Sequence, residues 1–285
     1  MTTTEQRHGA LSQVFARTAA EGRAALIGYL PAGFPTVDGA VAAMRAMVDG
    51  GVDVIEVGLP YSDPLLDGPT IQAAVEHALN QGVTTADVME TVRQVSASGA
   101  PTLVMSYWNP IERYGVERFA TELADAGGSG VITADITPEE AGEWISASKS
   151  AGLDRVFLVA PSSTDARIAM TAAAASGFVY AAAVMGVTGA RDQVGPAAES
   201  LVLRTKAVTP LPVCVGLGVS TGDQAAQIAQ FADGVIVGSA FVRTLLDAES
   251  AADGVARARA LAVELRAGIE RGAGRVRPEQ ARRPG

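Results

Sequence analysis

Residues 52–72 read VDVIEVGLPYSDPLLDGPTIQ, an apolar strand that runs through a turn rich in Gly, Pro and Asp into the start of a helix. Alternate side chains of a strand share a face. Val52, Val54 and Glu56 therefore stand together, while Asp53, Ile55 and Val57 face the other way. Glu56 is a carboxyl in line with two valines, on a face otherwise fit for a core. Burying such a charge is costly unless it is paired or used, and an isolated glutamate there more often reaches solvent from the strand end. The next residues weigh against that plain reading. Asp63 and Asp67 follow in a short loop stiffened by Pro60, Pro64 and Pro69, with Gly58 and Gly68 permitting tight backbone. Carboxylates held by a rigid loop at a strand end suit acid–base chemistry.

Outward from this stretch the chain alternates. Strands are expected at 24–30, 52–57, 102–107, 130–135, 155–159, 178–183, 212–216 and 234–237. Helices fill the intervals: Thr36 or Asp38 can cap one that ends near Val48, and further helices cover 69–80, 85–98, 115–126 and 138–150. The last of these opens at Thr137 with Pro138 in its first position. Others span 165–175, 197–207 and 221–230, and a final helix or pair covers 240–271. Eight strand–helix alternations in this length predict a single parallel (β/α)8 barrel, a TIM barrel, spanning residues 1–285. An extra N-terminal helix, 11–21, closes one end, and the tails 1–10 and 272–285 are expected to be loose. A doubly wound open sheet is the alternative architecture.

Composition narrows the function. A net charge of −9 argues against a general nucleic-acid binder. The single cysteine, Cys214, excludes an internal disulfide framework and reads as a buried thiol. His8 and His77 have no partners at ligand spacing, which argues against a zinc site. The start MTTTEQRHG has no secretory pattern. Residues 168–190 are uncharged and long enough to span a bilayer, but three glycines and the strand-like FVYAAAV break them up. The expectation is a soluble, cytoplasmic protein.

In such a barrel, chemistry sits at the C-terminal ends of the strands, and the loops after strands seven and eight often seat a phosphate. Gly216-Leu217-Gly218 follows the seventh strand, Gly238-Ser239 the eighth, and Gly186-Val187-Thr188-Gly189 the sixth. A lone Gly-Ser is usually just a helix start. Three glycine turns on consecutive strands favour an anion, because backbone N–H groups at a helix N-terminus attract one. Tyr180 in the sixth strand shares a face with Phe178 and Ala182, and by itself reads as a packed ring.

Together these residues resemble the alpha subunit of tryptophan synthase. The resemblance rests on the motif from Glu56 to Gln72, with support from residues 185–190, 216–218 and 238–239, and its order holds from about residue 11 to 270. Asn109-Pro110 and Ala134-Asp135 also fit. It implies a lyase that splits indole-3-glycerol phosphate into indole and glyceraldehyde 3-phosphate. It also implies an α2β2 assembly with a pyridoxal-phosphate beta subunit, and no metal or organic cofactor in this chain.

By the same resemblance, Glu56 is the proton donor and acceptor, Asp67 steadies the cation on the indole ring, and Tyr180 flanks them. Gly189, Gly218, Gly238 and Ser239 hold the phosphate. Tyr29, Met105, Ile132, Val159, Leu217 and Ile236 line the indole slot, although each is an equally good core residue. The loop 184–196 closes over the site, with Thr188 reaching Asp67. Two features depart from the family: Tyr29 stands where Phe is common, and residues 133–137 lack the usual proline-rich wording. Rival readings are a free-standing indole-releasing lyase, a catalytically silent activator of a partner, and a different phosphate-sugar barrel enzyme such as an isomerase.

Overall fold

A computed structural model describes residues 9–182, 196–216 and 218–273. Its eight strands are β1 (Ala25–Pro31), β2 (Val54–Gly58), β3 (Thr102–Ser106), β4 (Gly130–Thr133), β5 (Asp154–Val159), β6 (Val179–Ala182), β7 (Val213–Gly216) and β8 (Gly234–Val237). They pair in parallel in chain order, and β1 also pairs β8, closing the barrel. Closure removes the open-sheet alternative.

Helices wrap the outside. The first half carries α1 (Ala10–Ala20), α2 (Val37–Asp49), α3 (Pro69–Asn80), α4 (Thr85–Ser96), α5 (Trp108–Tyr114) and α6 (Val116–Asp125). The second half carries α7 (Gly142–Ala151), α8 (Asp165–Ala174), α9 (Pro196–Lys206), α10 (Gly222–Ile228), α11 (Ser239–Leu246) and α12 (Ala251–Ala273). Several starts follow from local chemistry. Thr36, Thr84, Thr164 and Thr221 each accept a backbone N–H of the first turn, and Thr84 with Asp87 completes a capping box.

Two expectations need correction. The expected helix at 115–126 is preceded by a separate short helix, α5, with Gly115 at φ 98° dividing the two. That backbone is open to glycine and closed to the helix. The helix expected from Pro138 begins instead at Gly142. The Thr137 carbonyl accepts from both Glu140 and Ala141, forming one isolated turn that does not propagate. The uncharged stretch 168–190 divides between α8 and β6 as far as it is described, and no described helix is long and apolar enough to cross a membrane. The tails at 1–8 and 274–285 lie outside the described residues.

Apolar residues form two layers. The inner one fills the barrel with Ala25, Ile27, Val54, Leu103, Ile132, Val156, Phe178, Cys214 and Ile236, and α1 plugs its lower end through Leu11, Val14 and Phe15. The outer one packs strands against helices, with Val57, Val104, Phe119, Trp144, Phe157 and Phe241 among its members. At the lower rim Asp53 is buried in a basic nest. Arg23 binds it through two nitrogens at 2.7 and 2.9 Å, Arg17 reaches it at 3.0 Å, and the Leu26 amide donates at 2.9 Å. Burial alone would raise this carboxyl. The hydrogen bonds from Arg23 and Leu26 and the charges of Arg23 and Arg266 outweigh it and hold the group below its ordinary value.

Candidate active site

Glu56 projects from β2 into the barrel. Its neighbours in register are Tyr29 on β1 and Leu103 on β3. It is fully buried, and among the described residues neither carboxyl oxygen has a hydrogen-bond partner. Burial without a compensating cation raises its pKa from 4.5 to about 8, so the acid is protonated at neutral pH. A structural carboxyl would show partners, as Asp53 does. Among the described residues Glu56 has none, the setting in which a carboxyl can exchange a proton.

Asp67 reaches the mouth from the rigid loop between β2 and α3. The Tyr107 hydroxyl accepts the Leu66 amide at 2.9 Å, which aims its own proton at Asp67 Oδ1, 3.1 Å away. Gln72 anchors the backbone of the same residue by donating to the Asp67 carbonyl at 2.8 Å. Partial burial pushes the Asp67 carboxyl up, opposed by the Tyr107 hydrogen bond. The Tyr61 ring packs on Tyr107 with centroids 5.4 Å apart, steadying it in turn.

Tyr180 lies in the inner layer, and burial with the Glu56 and Cys214 charges nearby raises its phenol far above normal. Tyr29 is buried beside the same acids. After burial itself, its largest electrostatic neighbours are Asp67 and Glu56, followed by Tyr107 and Tyr180. Two carboxyls and three phenols thus converge on one end of the barrel. Cys214 is buried in the inner layer, and its thiol is pushed well up by burial.

The expected anion seat has a matching frame. Gly238 is the N-cap of α11 and Ser239 its first residue, at the upper end of β8. The first-turn amides of a helix have no partner within it and point along its axis. Gly218 turns at φ 74° beyond β7, next to β8 in the sheet. Gly189 and Thr188 lie outside the described residues, as does Leu217.

Of the expected slot residues, Met105 is half-buried at the mouth, level with Gly58 and Ile132. Ile132 and Ile236 lie in the inner layer. Val159 is corrected: it belongs to the outer layer, and Leu158 is the β5 residue that faces inward, paired in register with Tyr180. Sequence reasoning also passed over Tyr107. The one available signal was an aromatic hydroxyl at the end of a strand, directly before the Trp108-Asn109-Pro110 turn.

This is a TIM barrel whose C-terminal mouth carries a buried acid unpaired among the described residues and a second, phenol-oriented acid, an arrangement suited to acid–base chemistry. The family model for the tryptophan synthase alpha chain matches residues 15–270. A tryptophan synthase alpha chain from Streptomyces avermitilis is 61% identical over 268 residues, covering 94% of this chain and 97% of that one. One from Thermobifida fusca is 58% identical over 262 residues, covering 91% and 97%. Among solved structures, Mycobacterium tuberculosis tryptophan synthase superposes with a TM-score of 0.86 at 55% identity, covering 93% of this chain and 99% of that one. The alpha subunit from Legionella pneumophila gives 0.83 at 34%, covering 92% and 98%. This chain belongs to the tryptophan synthase alpha chain family.

Proposed function

We propose that Glu56 makes the proton transfers of a retro-aldol cleavage and that Asp67 steadies the cation they create. The reaction is the family's: a carbon–carbon lyase step of tryptophan biosynthesis that converts indole-3-glycerol phosphate into indole and glyceraldehyde 3-phosphate. Cleavage requires a proton on indole C3, stabilisation of the resulting indoleninium cation, and removal of the proton from the C3′ hydroxyl. The bond between C3 and C3′ then breaks, its electron pair returns to the indole ring, and the aldehyde forms on the glycerol fragment.

In this reading Glu56, protonated at neutral pH, gives the first proton and takes the second. Asp67 accepts the indole N–H and meets the developing positive charge with its carboxylate. Tyr107 holds Asp67 in that orientation, and Tyr180 packs beside Glu56 and the substrate. Gly218, Gly238 and Ser239, with Gly189 from the loop after β6, seat the phosphate. Tyr29, Met105 and Leu158 surround the ring over the floor of Ile132 and Ile236, and Thr188 closes on Asp67. No step assigned to these residues calls for a metal or an organic cofactor.

We assign the face around the 61–69 loop to a beta subunit carrying pyridoxal phosphate, in an α2β2 assembly. Leu65 and Leu66 support this, being 76% and 59% exposed on a loop that also carries a catalytic acid. Absence of a complex with a beta subunit on size exclusion would point to a free-standing lyase instead.

The observation that carries the chemistry is the fully buried Glu56 of β2, unpaired among the described residues. The test is indole release from indole-3-glycerol phosphate by Glu56→Gln. A loss of at least about a hundredfold is expected, the usual worth of a positioned proton donor. Unchanged release would sink the assignment, and absence of release in the parent would favour a silent activator.

A further inference from the structure

Two tyrosines at the barrel mouth lean over glycines in the same manner. Tyr29 pairs in register with Glu56, and Tyr180 with Cys214. Each ring reaches the glycine two residues further along the neighbouring strand, Gly58 and Gly216, where any side chain would collide with the phenol. Both hydroxyls lie over their glycines, and the Tyr29 ring has a second glycine, Gly238, beside it. Cδ1 of Tyr29 lies 3.4 Å from the position a Cβ would take on Gly238, while the hydroxyl lies over Gly58. The side chain therefore spans the mouth from the head of α11, the proposed anion seat, to Gly58 at the end of β2, the strand that carries Glu56.

Tyr29 is only 7% exposed, so its ring is fixed by packing. Its hydroxyl nevertheless makes no hydrogen bond to a described residue, whereas that of Tyr107 makes two. Its strongest charged neighbour is Asp67. A phenol held at the ring, with no partner for its oxygen among the described residues, offers a rigid polar edge near Asp67.

We propose that Tyr29 is a specificity-determining residue whose hydroxyl bounds the indole slot beside Asp67 and rejects substrates bearing a substituent on that edge of the ring. The proposal rests on the reading of this site as one that receives an indole ring. A hydroxyl and a methyl occupy nearly the same volume, so a methyl on that edge has no room while the oxygen is present. It would also cover the oxygen with apolar surface and deny it water. One methyl in a close-fitting pocket is worth about 10–200-fold in discrimination.

The experiment compares the parent with Tyr29→Phe on indole-3-glycerol phosphate and on its four benzo-ring methyl isomers. The readout is kcat/KM for each isomer relative to the unsubstituted substrate in the same enzyme. At least one isomer is expected to be rejected by the parent and to gain about tenfold or more in the variant. General loosening of the site lowers all five rates together and leaves the ratios alone. Ratios within about twofold of the parent's for all four isomers overturn the role of Tyr29, as does a parent that accepts every isomer equally. A failure of the underlying reading shows separately, as a parent that releases no indole from any of the five.

Discussion

A buried acid with no partner among the described residues costs the fold stability wherever it keeps a proton that the unfolded chain gives up, and Glu56→Gln measures that cost directly. In the unfolded chain the carboxyl titrates near 4.5, and in the folded protein burial moves it to about 8. Below the lower value both states are protonated and there is no penalty. Between the two values the unfolded chain releases a proton that the native state keeps. Stability then falls by about 1.4 kcal/mol per pH unit, and the loss is complete once the pH has risen through the folded value. Between pH 5 and pH 8 this amounts to about 3 to 4 kcal/mol. Glutamine cannot ionise and so removes this slope. Its amide, also without partners, adds a cost of about 1–3 kcal/mol that does not vary with pH.

The assay is urea unfolding of parent and variant at both pH values and constant ionic strength, with equal m-values as the control for the unfolded state. All other titrating groups are common to the two proteins and cancel. The variant should start at or below the parent at pH 5 and gain about 3 to 4 kcal/mol on it by pH 8. A difference that stays flat to within about 1 kcal/mol means a carboxyl that ionises normally, and refutes a poised acid at Glu56.

Further outcomes follow from the same geometry. Asp67→Asn should abolish most indole release with substrate binding largely intact, read as a fall in kcat of about a hundredfold or more at similar KM. Tyr107→Phe removes the donor to Asp67 and the acceptor for the Leu66 amide, and should lower kcat about tenfold in steady-state indole release. Gly216→Ala places a Cβ 2.8 Å from Cζ of Tyr180 and should cost about 1–3 kcal/mol in urea unfolding, with a drop in activity as the ring shifts. Asp53→Asn leaves three arginines facing a neutral amide and should cost about 3–5 kcal/mol at pH 7. Because the folded pKa of Asp53 is depressed, its contribution is present above the unfolded value and lost as the pH falls through the folded one, so the two proteins should converge in acid.

Much of this was open to reading from the chain by itself. Alternation of apolar runs with capped helices is a local property, and it was enough to place eight strands and a barrel. The Glu56–Gln72 motif carries its own information, because strand, rigid turn and helix start are contiguous. Other features were not legible, for reasons that can be named. Strands of a parallel barrel are buried on both faces, so in β5 both Val156/Leu158 and Phe157/Val159 are apolar, and alternation cannot say which pair points inward. Only pairing of Leu158 with Tyr180 decides it.

The pairing of Tyr107 with Asp67 joins residues 40 positions apart, and its geometry exists only once β2 and β3 lie side by side. Tyr29 was marked as a slot residue by resemblance alone; pairing of β1 with β2 sets its hydroxyl over Gly58, and closure of β1 against β8 brings Gly238 beside its ring. Residue types, element order and the acid-bearing turn were thus determined by the sequence alone, since each depends on neighbours along the chain. Which side chains share a cavity, and which acid is left without a partner, was decided by the tertiary structure, because burial and proximity arise only when distant strands close into a ring.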